Sequence, residues 1–249
     1  MSKLISVFII TFNEENIIDK CLEKLFWADE IIVIDSGSTD KTVEICQKFG
    51  AKVIYNRFEN FGQQKQFALN NTKNNWVLSL DADEVLSDAL IKELQDFNPK
   101  DCSGYKIPRT HVFLGKIFKY GSENKKPILR FFDKQQGQFT QNIIHETIVV
   151  TGEIGAFKAE MLHYTVFDIA TAIQKQIKYA LLSGEQFYKN KKNVSIFKIV
   201  CKFPFDFVRY YIVQRNFLNG YQGFIWSIFS AFANFLKYAN LKDLTSKNN

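Results

Sequence analysis

The first hundred residues alternate between β-branched apolar runs and stretches whose apolar residues recur at helical spacing. Residues 4–10, Glu30–Asp35, Lys52–Tyr55 and Trp76–Asp81 read as strands. Helices are predicted over 14–26, 40–49, 62–71 and 87–97, the last capped by Ser87. Such alternation dictates a mostly parallel sheet with helices on both faces. Sheets of that kind bind ligands beyond the carboxyl ends of their strands. Polar residues collect at three of those ends: Thr11, Asn13 and Glu14; the run from Asp35 to Asp40; and Asp81, Asp83 and Glu84.

The third group sits in WVLSLDADEVL, residues 76–86, where an apolar run meets three carboxylates within four residues. Like charges repel and resist burial, so either positive charge or solvent must meet them. In an extended or turning segment, side chains two apart point the same way, so Asp81 and Asp83 can face one cation. Hard oxygen ligands suit Mg2+ or Mn2+, and such an ion would neutralise charge on a departing diphosphate. The plain alternative is an acidic loop that favours the N-terminus of the next helix.

The stretch DSGSTD, residues 35–40, has one glycine and small hydroxyls, which allow close backbone approach to a ligand. Asp35 at a strand end can accept hydrogen bonds from a base N–H or a ribose hydroxyl. Its alternative is an ordinary strand–helix turn capped by Ser38 or Asp40. Neither G-x-G-x-x-G nor a Walker loop is present, which disfavours dinucleotide and P-loop chemistry.

From about residue 98 to 164 the pattern becomes irregular. Strand-like pieces (GYKIP, KIFKY, ILRFF, TIVVTG) separated by Gly and Pro predict a mixed or antiparallel extension of the sheet. From Asp168 the chain reads as helical.

The 249 residues are 46% apolar, enough for a full core, and carry a formal charge of +6. That excess suits an acidic partner: a nucleotide, an anionic membrane or a phosphorylated acceptor. No nucleic-acid-binding signature is present, so nucleic acid is not an expected partner. Four widely spaced cysteines suit reduced thiols in a cytoplasmic protein. The start, MSKLISVFIITFNEE, lacks a signal-peptide pattern, and its apolar run is too short to span a bilayer.

Taken together, SVFIITFNEE, ADEIIVIDSGSTDKTVEI, GAKVI, FGQQKQFAL and WVLSLDADEVLS resemble the inverting family 2 glycosyltransferases of the GT-A fold. More narrowly, they resemble the lipopolysaccharide-core β-1,4-glucosyltransferase type. The resemblance is strong over residues 4–97 and looser through Arg130, Ile144-His-Glu146 and His163. It implies an α/β, Rossmann-like GT-A fold with a mostly parallel mixed sheet, helices on both faces and C-terminal amphipathic helices. It divides the chain into a catalytic domain, 1–165, and a helical extension, 166–249. Within the first, 1–97 would bind the donor and 98–165 the acceptor.

The implied roles follow position by position. Thr11, Asn13 and Glu14 would line the nucleotide pocket. Asp35 would contact the base, with Ser38 and Asp40 nearby, and Lys65 would face the donor. Asp81 would hold the ribose or a metal-bound water, and Asp83 the metal, Mn2+ or Mg2+. Glu146 is the expected catalytic base and His145 a metal or diphosphate ligand. Arg109, Arg130 and His163 are secondary candidates; Arg130 would clamp a phosphate or pair with the acidic site. The implied reaction moves a sugar from a nucleotide-diphosphate donor, such as UDP-glucose, to a glycolipid, lipopolysaccharide or other saccharide acceptor. The rivals are a polyprenyl-phosphate glycosyltransferase and a catalytically silent nucleotide-sugar-binding membrane adaptor.

Between Lys189 and Arg215 lie seven Lys or Arg and a single acid, Asp206, with aromatics interleaved. Residues 217–236 carry no formal charge, but Tyr221, Phe224, Ile225, Ile228, Phe229, Phe232, Phe235 and Leu236 fall on one helical stripe. The expectation is an amphipathic helix rather than a membrane span. It would give peripheral contact through 189–238 at the inner face of the cytoplasmic membrane. Packing of the stripe on the protein itself is the alternative.

Overall fold

The computed structural model describes residues 4–98, 102–140 and 147–247. The chain divides into two compact units: Met1–Thr110 with Lys125–Tyr164, and His111–Asn124 with Thr165–Asn249.

The first unit opens with strand–helix alternation. β1 (Ile5–Thr11), α1 (Ile18–Glu23), β2 (Glu30–Asp35), α2 (Thr42–Lys48), β3 (Lys52–Tyr55), α3 (Phe61–Asn70) and β4 (Trp76–Asp81) follow in order. Then come β5 (Glu84–Leu86) and α4 (Asp88–Gln95), where Ser87 accepts a hydrogen bond from the Leu90 amide as the helix cap. β1 pairs in parallel with β2 and β4, and β2 in parallel with β3, giving the strand order 3-2-1-4.

β1 is buried along its whole length, as a strand covered on both faces must be. Its alternating side chains serve two cores. Val7 and Ile9 join Cys21, Leu22 and Leu25 of the α1 region and Leu90 of α4. Phe8 and Ile10 join Ala68 and Leu69 of α3.

The antiparallel extension starts with β6 (Cys102–Phe113), followed by β7 (Lys116–Ile117), β8 (Lys126–Asp133), β9 (Gly137–Phe139), β10 (Ile148–Val150), β11 (Glu153–Ala156) and β12 (Met161–Val166). β8 runs antiparallel between β4 and β6, and β12 pairs antiparallel with β5. Among the described residues the sheet has ten strands, and β9 and β10 pair antiparallel as a separate two-stranded sheet. Trp76, Phe97, Tyr105, Phe131 and Phe157 make an aromatic cluster in this unit.

The second unit is built on three helices, α5 (Ile169–Lys189), α6 (Ile196–Val208) and α7 (Tyr221–Lys247). α7 packs against both of the others. Its deeply buried residues are Gly223, Ser227, Ala231 and Leu241, so the deepest row of the helix is not its aromatic stripe. Tyr221, Phe224 and Phe232 are exposed, while Ile225 and Phe229 pack on the Phe113–Phe118 cluster. The cause is close approach: a Cβ on Gly223 would lie 1.9 Å from the Asn216 carbonyl oxygen. Among the described residues, no helix is long and apolar enough to cross a membrane.

Candidate active site

Strand register brings the three polar strand ends together. Thr11 sits opposite Asp35 on β2, and Ile10 opposite Asp81 on β4. The loop after β1 is locked to the loop after β2. The Asn13 amide donates to Ser38 Oγ (2.9 Å), and the Thr39 amide donates to Asn13 Oδ1 (2.8 Å). Asn13 holds φ at 54°, a left-handed conformation that Asn tolerates better than most residues. Next to it, the Glu14 amide donates to Thr42 Oγ1 and the Glu15 amide to Asp40 Oδ2. Burial acts to raise the Asp40 pKa, but hydrogen bonds from Thr42 and the Glu15 amide outweigh it and hold the carboxyl below its ordinary value.

Asp35 is buried, and its carboxylate accepts from the Gly37 and Ser38 amides and the Ser38 hydroxyl. Gly37 makes that turn possible with φ at 97°. The side chain thus shapes its own loop. Thr11 Oγ1 is buried with no hydrogen-bond partner among the described residues.

The acidic knot after β4 is met by positive charge. Lys65, buried on α3, lies 2.9 Å from Asp81 Oδ1. Arg130 Nη2 on β8 donates to both Asp81 Oδ2 (2.6 Å) and Glu84 Oε1 (2.7 Å). Arg109 Nη1 on β6 is 3.4 Å from the same Glu84 oxygen. Glu84 Oε2 accepts from the Asp81 amide, closing the turn between β4 and β5. Glu84 is fully buried, so its charge is tolerable only because these donors surround it.

Burial alone would raise the Asp81 pKa, but the Arg130 and Lys65 charges hold its carboxyl far below the usual carboxylate range. Burial would lower the Arg130 pKa, and the Asp81 and Glu84 carboxylates overcome it, so the guanidinium stays charged. Arg130 Nε has no hydrogen-bond partner among the described residues.

Asp83 meets a histidine. Its Oδ2 lies 3.3 Å from His163 Nε2, and both side chains are partly exposed. β12 places this histidine: His163 pairs with Glu84 across the strands, and the Tyr164 amide donates to the Asp83 carbonyl (2.8 Å).

Asp81 and Asp83, the two carboxylates expected to face one cation, have different neighbours. Two ion-pair oxygens commit Asp81 to Lys65 and Arg130, whereas Asp83 shares its surroundings with an imidazole. Among the described residues, no group of three or more His, Cys, Asp or Glu is arranged so that it could hold a metal ion by itself. A divalent ion would fit Asp83 and His163 as one oxygen and one nitrogen ligand, with further positions left to substrate oxygens and water. His145 and Glu146 lie outside the described residues. Glu84 is the participant that sequence reasoning left without a role; the signal was a third carboxylate inside a short apolar run.

The glycosyl transferase family 2 profile matches residues 6–160. A glycosyltransferase of Rickettsia typhi is 32% identical over 98% of this chain and 89% of its own length. The lipopolysaccharide core biosynthesis glycosyltransferase LpsC of Rhizobium meliloti is 30% identical over 95% of this chain and 91% of its own. Among solved structures, glucosyl-3-phosphoglycerate synthase of Mycobacterium tuberculosis, bound to Mn2+, UDP and glucosyl-3-phosphoglycerate, is 25% identical with a TM-score of 0.37. That likeness covers 43% of this chain and 44% of the synthase, so the chain spans less than half of that protein. With the family profile spanning most of the chain and relatives matching nearly all of it, the chain belongs to glycosyl transferase family 2.

Proposed function

We propose that this glycosyltransferase takes a nucleotide-diphosphate sugar, a UDP-hexose such as UDP-glucose, and passes the sugar with inversion to a glycolipid, lipopolysaccharide or other saccharide acceptor. The reading rests on one observation: Thr11, Asp35 and Asp81 stand at adjacent strand ends beside Lys65, Arg130 and the Asp83–His163 pair. The interlocked loops carrying Asn13, Glu14, Ser38 and Asp40 would cradle the nucleoside. The unpartnered Thr11 hydroxyl offers it a hydrogen bond. Asp81, kept ionised by its two cations, would accept from a ribose hydroxyl or order a water.

Asp83 and His163 would hold Mn2+ or Mg2+, with His145 a further ligand. When bound, the ion supplies positive charge for the leaving diphosphate. Arg130 would keep the acidic turn in place through Asp81 and Glu84. Glu146 is our assignment for the base. It would take the proton from the acceptor hydroxyl as that oxygen attacks the anomeric carbon, while the sugar–phosphate bond breaks and its electrons leave with the diphosphate. Peripheral contact of residues 189–238 with the inner face of the cytoplasmic membrane would bring a lipid-linked acceptor within reach.

The test is a thermal-shift panel of nucleotide sugars with and without Mn2+, on wild type and Asp83→Ala, followed by turnover of Glu146→Gln. The expected outcome is a Mn2+-dependent shift with one UDP-sugar, lost in Asp83→Ala, and turnover reduced on the order of a hundredfold or more in Glu146→Gln. No donor binding by wild type would overturn the enzyme reading. Unchanged turnover in Glu146→Gln would remove the carboxylate base and favour a lipid-phosphate acceptor.

A further inference from the structure

In a helix packed on its own protein, apolar residues face inward and charges face water. α6 does the reverse. Its inward side carries Lys202 and the fully buried Asp206, 3.0 Å apart, together with Ile199, Phe203 and Phe207. Its outward side carries Ile196, Phe197, Val200, Pro204, Phe205 and Val208, all exposed and none charged. Ile196 is 67% exposed, Phe197 77%, and Val200 and Phe205 65% each. With ordinary side-chain areas, this face offers on the order of 600 Å2 of continuous apolar surface, at or above the largest patch a soluble monomer usually tolerates.

Within residues 189–215 the exposed charge has one sign. Lys189, Lys191, Lys192, Lys198, Arg209 and Arg215 are exposed on or beside α6. The single acid of the segment, Asp206, is buried against Lys202 and presents nothing to the surroundings. A second copy docking here by twofold symmetry would press these cations against their own image. A surface with an apolar interior and an anionic skin matches both features at once.

We infer that the outward face of α6 inserts into the interface of an anionic lipid bilayer, with the flanking lysines and arginines on the lipid phosphates. This deepens the peripheral-contact part of the proposed function by naming the element and the lipid charge. The helix lies in the plane of the membrane and does not cross it. Phe197 and Phe205 enter the acyl boundary.

The test is co-sedimentation of the full-length protein, without donor or metal, with vesicles of phosphatidylglycerol and phosphatidylcholine or of phosphatidylcholine alone. Wild type is expected to pellet with the anionic vesicles at low salt and to be released at high salt. Phe197→Ser/Phe205→Ser should lower partitioning on the order of tenfold or more. Lys189→Gln/Lys191→Gln should lower it roughly fivefold per lysine on anionic vesicles only. Melting midpoints of the variants should stay at the wild-type value, because the replaced side chains face outward; a collapse would mean the face is packed inside and would overturn the inference. So would wild type that stays in the supernatant, equal binding by the serine variant, or a wild-type dimer that the serine variant splits. The assay reads binding in the absence of sugar nucleotide, so its failure leaves the glycosyltransferase reading standing, and the reverse holds too.

Discussion

Replacing Arg130 by Met removes the one guanidinium that touches both Asp81 and Glu84 while keeping an apolar stem of similar length. Breaking a buried ion pair on one side costs about 3–5 kcal/mol, because the surviving charge stays buried without its partner. The low end applies here. Lys65 still holds Asp81 at 2.9 Å, and Arg109 stays 3.4 Å from Glu84. A loss of about 3 kcal/mol corresponds to a melting midpoint lower by roughly 6–12 °C in a chain of this size.

The sign of the pH dependence follows from Asp81, whose folded pKa is depressed chiefly against burial by Arg130 and Lys65. Its contribution to stability is present above the unfolded carboxylate pKa of about 4 and is lost as the pH falls through the folded value. The gap between wild type and Arg130→Met should therefore be full at pH 7 and narrow below about pH 4. Differential scanning fluorimetry across that range measures it. A variant melting within 2 °C or so of wild type at pH 7 would refute the reasoning, since the two carboxylates would then not depend on Arg130.

Two further outcomes follow from packing and burial. Gly223→Ala puts a methyl group 1.9 Å from the Asn216 carbonyl oxygen, which should force α7 away from its neighbour and cost about 1–3 kcal/mol in denaturant unfolding. A thiol reagent should label the exposed Cys201 first in the folded protein and reach Cys21 and Cys46 only on unfolding. Burial pushes the Cys21 thiol well above its ordinary pKa, and burial with the nearby Asp35 charge pushes Cys46 up to about 12; mass spectrometry of labelled peptides gives the order.

The donor half of the fold was legible because its signal is local. Glu30–Asp35, Lys52–Tyr55 and Trp76–Asp81 are strands as the apolar runs predict. α1 is shorter than its periodicity implies: it runs only from Ile18 to Glu23, and the Ile17 and Ile18 amides turn back onto the Glu14 carbonyl ahead of it. β5 was not legible. Glu84-Val-Leu reads as the approach to a helix, and only pairing with β12, some 77 residues on in the register His163–Glu84 and its neighbours, makes it a strand.

The need for positive charge at the acidic turn was readable from repulsion alone. Which cation meets which carboxylate was not, because Lys65, Arg109, Arg130 and His163 come from four different elements. In α7, composition pointed to the aromatic stripe, but helix proximity selects residues without bulk, and Gly223, Ser227 and Ala231 meet that demand.

The dispersal of those cations has a consequence for biosynthesis. A nascent chain that has emerged only through Phe97 possesses every carboxylate of the turn and Lys65, yet neither guanidinium that quiets Glu84 nor the imidazole beside Asp83. The parallel strands can collapse early, but the turn after β4 cannot settle dry until residue 130 arrives on β8, nor take its final shape until residue 163 arrives on β12. The site is thus finished late, by strands translated after the parallel half of the sheet that supports it, and an amino-terminal fragment of the chain should be a poor stand-in for the whole.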